Sequence, residues 1–205
     1  ATRAAALSGK KQKVLVVTFN ITLISYLRDL ALRAGVGNIN EITWINFHEL
    51  CRHLCEDLGL MEKYREIASG SKGNFFHAVP NMIREFLDRA PSAAHEGLGL
   101  TQYDAILVDE GQDFTLEWWQ LLRHLHKDGG EILLVADTTQ DLYDTARVWT
   151  EDEMPGSGFA GRWASLDVTY RLPPALAELA DDFSERFVTA DRRLKSQLPQ
   201  SELTN

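Results

Sequence analysis

The stretch Asp104-Ala105-Ile106-Leu107-Val108-Asp109-Glu110-Gly111-Gln112-Asp113 decides the fold. Ala105 to Val108 are apolar without alternation, the pattern of a strand buried on both faces of a parallel sheet. Asp109 and Glu110 end that run and Gly111 breaks it. Such a strand carries its two carboxylates to the C-terminal edge, where open α/β sheets bind ligands. The first acid can hold Mg²⁺, usually through water, beside nucleotide phosphates. The second can orient or deprotonate an attacking water. Taken alone, the same string also describes a strand that ends in a solvated acidic turn.

Working outward, other segments repeat the pattern. Val14–Thr18 is a β-branched run of strand length, followed by Phe19 and Asn20. Glu41–Phe47 reads as a short strand and His48–Leu58 as a helix. Glu131–Ala136 reads as another buried strand, followed by Asp137-Thr138-Thr139-Gln140-Asp141-Leu142-Tyr143. Trp163–Thr169 reads as a fifth strand, followed by Tyr170-Arg171. Between them, Ala1–Ser8 is helix-favouring with Gly9 as its stop, and Ile21–Ala34 carries apolar residues at helical spacing with Gly35 after it. Residues 59–101 hold no strand run. They carry a helix expected at Asn81–Arg89, with Pro80 near its start and Pro91 past its end, and read as a small helical insertion. Leu116–His126 reads as an amphipathic helix with Trp118 and Trp119 in the core. Pro173 and Pro174 open a last helix whose stripe is Leu176, Leu179, Ala180, Phe183 and Phe187. The segment 151–162 reads as a loop and the tail from Asp191 as polar. Strands alternating with helices predict an α/β fold with a parallel sheet.

Bulk properties narrow the class. A chain of 205 residues can bury a full core. Its two cysteines, Cys51 and Cys55, cannot form a disulfide framework or complete a structural zinc site, and their spacing puts them on one helix face as small apolar residues. With no membrane-length apolar run and no visible signal peptide, this predicts a cytoplasmic protein. The net charge of −9 argues against a module that simply coats nucleic acid. The charge is uneven, however. Residues 1–40 carry six bases and one acid, +5, which leaves −14 on the rest and permits nucleic acid on one face only.

Five polar or aromatic sets, each directly after a strand, now stand in order: VVTFN at 16–20, INFHELC at 45–51, ILVDEGQDF at 106–114, LLVADTTQDLY at 133–143 and VTYRLP at 168–173. Together they resemble motif Ia, the Thr-Phe-His-Ser segment, Walker B, motif III and motif IV of superfamily-1 helicases of the UvrD/Rep type. The resemblance covers roughly residues 13–187 and identifies the chain as similar to the first RecA-like motor domain of that family. It implies a parallel-sheet RecA-like P-loop NTPase domain formed by residues 1–58 and 102–190, with the helical insertion 59–101 between them and 191–205 as linker or tail.

The resemblance also implies roles. Asp109 would be the Mg²⁺ carboxylate and Glu110 the base for the water attacking the γ-phosphate of ATP. Gln140 would sense that phosphate, Arg171 would contact it, and Tyr170 would stack on the adenine. Thr18, Phe19, Asn20, Phe47, His48 and Tyr143 would meet single-stranded DNA or RNA. Phosphoryl transfer calls for a metal and an Arg on the γ-phosphoryl oxygens, and aromatics stack on bases without regard to sequence. Phe19 and Phe47 also fit a core, Asp113, Asp141 and Asp144 also fit helix caps or solvated positions, and His48 and His53 also fit structural roles.

Departures from the family pattern shape the expectation. Ser8-Gly9-Lys10-Lys11 lacks the upstream Gly and the following Ser/Thr of a P-loop. By the resemblance, the chain begins just after that loop and lacks the second RecA-like domain, its expected partner. Ala136-Asp137 replaces the usual Gly-Asp, and the insertion is short. The expectation is part of an ATP-dependent helicase or translocase, inactive in isolation. Without the P-loop strand, the strand at Ile132–Ala136 would keep an unpaired side, and a dimer closing that gap is one expected outcome. Two alternatives stay open: a degenerate nucleic-acid-binding or regulatory module, and a Mg²⁺-dependent nuclease using Asp104, Asp109, Glu110 and Asp113.

Overall fold

A computed structural model describes residues 1–10, 12–70, 72–89, 99–136, 164 and 173–187. The chain divides into two units, residues 1–137 with 141–158, and residues 138–140 with 159–205. In the first unit the order is α1 (Thr2–Ser8), β1 (Val14–Thr18), α2 (Ile21–Arg33), β2 (Ile42–Asn46), α3 (Phe47–Asp57), α4 (Met61–Ser69), α5 (Lys72–Arg89), β3 (Tyr103–Asp109), α6 (Leu116–Arg123) and β4 (His126–Leu134). A 3-10 turn, Ile39–Glu41, leads into β2, and another, Gly111–Asp113, follows β3. In the second unit the described element is one helix, α7 (Pro174–Phe187). The expected fifth strand lies outside the described residues apart from Ala164. No described helix is long and apolar enough to cross a membrane.

The four strands form one parallel sheet in the order β2-β1-β3-β4, so the described fold is α/β. All five residues of β1 are buried, as are Ala105 to Val108 of β3. Unbroken apolar runs fit strands covered on both faces. On one face Val14, Val16, Ala105, Leu107 and Ile42 pack with Ala4 and Leu7 of α1 and with Leu27 of α2. Alternation turns Leu15, Val17, Ile106 and Val108 to the other face, which leaves the mutually packed α3, α5 and α6 to cover it.

Three sequence expectations shift. The helix expected at Leu116–His126 stops at Arg123, and His126 instead begins β4. The helix expected from Asn81 begins at Lys72, with Pro80 inside it. An interior proline removes a helical hydrogen bond at a cost of ~3 kcal/mol. Here the buried stripe Val79, Ile83 and Leu87 runs straight through it, and that burial outweighs the lost bond. The strand expected at Glu131–Ala136 instead spans His126–Leu134. Tyr103 pairs with His126 and Ala105 with Glu131, so Lys127–Gly130 bulge out, with Gly129 at φ 75°. This strand lies at the edge of the described sheet and is not buried throughout. Leu134 is covered, while Leu133 and Val135 beside it are 37% and 44% exposed.

Candidate functional site

Parallel register brings the strand ends together. Thr18, last in β1, stands opposite Asn46, last in β2, and opposite Asp109, last in β3. Neighbouring strands lie ~4.8 Å apart, so the segments after β1, β2 and β3 share one edge of the sheet. Helices α2 and α3 start at this edge. The side-chain oxygen of Asn20 accepts the Thr22 N–H at 2.9 Å to cap α2, and that of Asn46 accepts the Glu49 N–H at 3.0 Å to cap α3. Both capping bonds fill donors that a helix start would otherwise leave unmatched.

Asp109 and Glu110 are both partly exposed at this edge. The Glu110 backbone is left-handed, φ 57° and ψ 46°, the one non-glycine with positive φ among the described residues. For a residue with a Cβ that conformation is strained, and such strain collects where a side chain must be aimed. The turn is pinned on both sides. The Glu110 N–H donates to Asp109 Oδ1 at 3.2 Å, and the Asp113 N–H to the Glu110 carbonyl at 3.0 Å. Buried Gln112 donates its Nε2 to the Glu110 carboxylate and fixes its orientation.

Beside the acids lies an aromatic cluster. Phe47 is fully buried, stacked on Trp118 with centroids 4.5 Å apart and edge-on to Phe114 at 5.4 Å. The His48 ring packs against Trp118, Phe19 and Phe76, the last at 4.7 Å. Burial holds the His48 pKa below its ordinary value, so this imidazole is neutral near pH 7. Phe19 lies over Trp118 at 6.1 Å and 21°, with 37% of its surface exposed, and Phe76 is 49% exposed.

The residues expected to meet nucleic acid therefore divide. Phe19 and Asn20 reach solvent and His48 is half-buried. Thr18 is only 1% exposed, its hydroxyl donated to the Asn20 carbonyl at 2.8 Å, so it serves the turn. Phe47 fills the core, because the sheet edge needs an anchor under α3. Asn20 is exposed, but its side-chain oxygen is engaged by Thr22. Gln140, Tyr143, Tyr170 and Arg171 lie outside the described residues, as do Asp137, Asp141 and Asp144. Sequence reasoning missed Phe76, which meets His48 across 28 positions, and missed Gln112 as the partner of Glu110. The adjacent pair Phe75-Phe76 was the available signal for the first.

The four acids of the nuclease reading do not assemble. Asp104 lies near the start of β3 and Asp109 at its end, about 16 Å along the strand. Asp104 accepts the Lys127 ammonium at 2.7 Å and the Lys13 N–H at 2.8 Å, and these bonds hold its pKa below the ordinary value. Among the described residues no group of three or more His, Cys, Asp or Glu could hold a metal ion. Cys51 and Cys55 are free and buried in α3, and burial raises both thiol pKa values, that of Cys55 to about 11. Both are inert packing groups. No protein-family model matches this chain, and no curated protein matches it.

Proposed function

We propose that this chain is part of an ATP-dependent helicase or translocase motor, a RecA-like domain in which hydrolysis at the C-terminal edge of the sheet drives movement on single-stranded DNA. The observation that carries the reading is the meeting of a strained Asp109-Glu110 turn with an exposed Phe19 at adjacent strand ends. Asp109 fits Mg²⁺, which is commonly held by one or two carboxylates plus water and substrate phosphates instead of a full protein cage. When bound, Mg²⁺ neutralises charge on the phosphate oxygens. Glu110, oriented by Gln112, positions and deprotonates the attacking water. In this reading Gln140 and Arg171 would contact the γ-phosphate and Tyr170 would stack on the adenine, as the resemblance implies. Phe19, backed by Trp118, offers a ring to a nucleic-acid base.

The motor reading is tested in a polypeptide that joins this chain to a phosphate-binding Gly-rich loop and a second motor domain. DNA-stimulated turnover is expected there, and Glu110→Gln should lower kcat about a hundredfold or more while nucleotide binding persists. Undiminished turnover in that variant would reject the assignment. The chain by itself should show no measurable turnover, since its sequence holds no Gly-x-x-x-x-Gly-Lys-Ser/Thr cradle.

A further inference from the structure

Pro80 sits inside α5 and has no N–H to donate to the carbonyl four residues back, that of Phe76. The indole N–H of Trp118, in α6, donates to that carbonyl at 3.2 Å. The proline frees an acceptor and the tryptophan takes it. The backbone at Phe76 is thereby tied to the same indole that stacks on Phe47 and lies under Phe19. Through this one bond the helical insertion reaches the sheet edge beside the acidic turn.

The two adjacent phenylalanines of α5 part here. Phe75 is half-buried and meets Tyr64 of α4 edge-on at 5.6 Å. Phe76 instead meets the His48 imidazole at 4.7 Å and keeps 49% of its surface exposed. Phe19 meets the same imidazole at 5.8 Å and is 37% exposed. The two phenyl rings therefore stand no more than about 10.5 Å apart. That is at most about three steps of ~3.4 Å, the rise per nucleotide along one stacked strand. Two partly exposed aromatic rings at this spacing, each backed by a further ring, suit flat apolar groups strung along one chain. Unpaired bases are such groups.

We propose that Phe76 is a second stacking ring for single-stranded DNA, taking a base close along the strand to the one that Phe19 takes. The proposal rests on the motor reading, whose nucleic-acid interface it extends from the strand ends onto the insertion. Stacking reads no sequence, because every base has a π face, and that suits a motor which must move along any strand.

The test is fluorescence anisotropy of the full chain with a labelled oligothymidylate and, as control, an abasic strand of the same length and charge. Phe76→Ala should weaken oligothymidylate binding about tenfold, while its affinity for the abasic strand and its urea midpoint stay nearly unchanged. Phe76→Leu, which keeps apolar bulk without an aromatic face, should lose as much. Phe76→Tyr, which keeps the ring, should bind like the parent. Undiminished binding by Phe76→Ala or Phe76→Leu, an equal loss on the abasic strand, or a loss in Phe76→Tyr as large as in Phe76→Ala would overturn the proposal. The two readings fail differently. If Phe19→Ala weakens binding and Phe76→Ala does not, Phe76 alone leaves the interface. If the parent chain binds no oligothymidylate, the nucleic-acid side of the motor reading falls together with this proposal.

Discussion

The backbone N–H of Gly111 donates to the carbonyl of Val135 at 2.8 Å, and the Val135 N–H donates to the carbonyl of Val108 at 2.9 Å. The acidic turn is thereby stitched to the end of β4, so the two can shift only together. A Cβ at position 111 would collide with Leu134 Cδ1 and lie 3.0 Å from the Val135 carbonyl oxygen. The leucine end can move, but the carbonyl is part of the stitch. Gly111→Ala should therefore destabilise the protein by about 1–3 kcal/mol, the usual range for overpacking. Combining it with Leu134→Val should cost less than the two single losses added. Denaturant titration of the three variants measures both; strict additivity would show that Leu134 does not carry the strain.

Two aromatics three residues or fewer from a strand end should behave oppositely. Phe19 is partly exposed and Phe47 fully buried, although both follow a strand directly or nearly so. Phe19→Ala should weaken binding of a labelled oligothymidylate about tenfold, as loss of one base stack is worth ~1–3 kcal/mol, and should leave the denaturation midpoint nearly unchanged. Phe47→Ala should instead lose ~3–5 kcal/mol of stability, the range for emptying a packed aromatic site. Fluorescence anisotropy and urea denaturation on both variants separate the roles. Equal DNA affinity for Phe19→Ala and the parent would remove Phe19 from the interface.

Acid should destabilise the fold in two stages. Burial holds the pKa of His48 and of His126 below the ordinary value of 6.5. The unfolded chain then takes up these protons first, so the contribution is complete above ~6.5 and is lost as pH falls from there toward the folded values. Glu49, Asp104 and Glu131 are depressed by bonds to Arg52, Lys127 and Arg3 respectively. Their contribution is present above the unfolded carboxylate values and is lost only as pH falls below those, near 4. Urea midpoints measured between pH 7 and pH 5, about where only the histidines titrate, should decline. His48→Gln should flatten that decline, and an unaltered slope would show that His48 gains its proton without penalty.

What the sequence disclosed follows from how local each cause was. β1 was legible residue by residue, because Val14–Thr18 is buried on both faces and needs no alternation to be recognised. The core of β3 was legible for the same reason. The start of α5 was not, since Pro80 signals an end and only the tertiary burial of Val79, Ile83 and Leu87 overrides it. The extension of β4 back to His126 was hidden because His126 closes the helical pattern of Leu116–His126; its cause is the pairing with Tyr103, a contact no local window contains. At the candidate site the acids at the end of β3 could be read from their string. The left-handed Glu110 and its bond from Gln112 could not, because both depend on how the turn meets β4.

The last prediction concerns that outer strand. Among the described residues β4 pairs on one side only, with β3; Leu133 on it and Val135 just past its end stand exposed. A strand edge with unmatched N–H and C=O groups and apolar neighbours templates pairing with another chain. The full chain should accordingly self-associate as its concentration rises. Val135→Lys adds a charge of the kind that natural edge strands use to prevent pairing. It replaces an exposed side chain, and the stitching bonds of residue 135 are made by the backbone, so the fold should persist. Sedimentation velocity across a concentration series should show the parent chain shifting to a larger species and Val135→Lys remaining monomeric. A parent that sediments as a monomer throughout would mean that the far side of β4 is already satisfied within one chain.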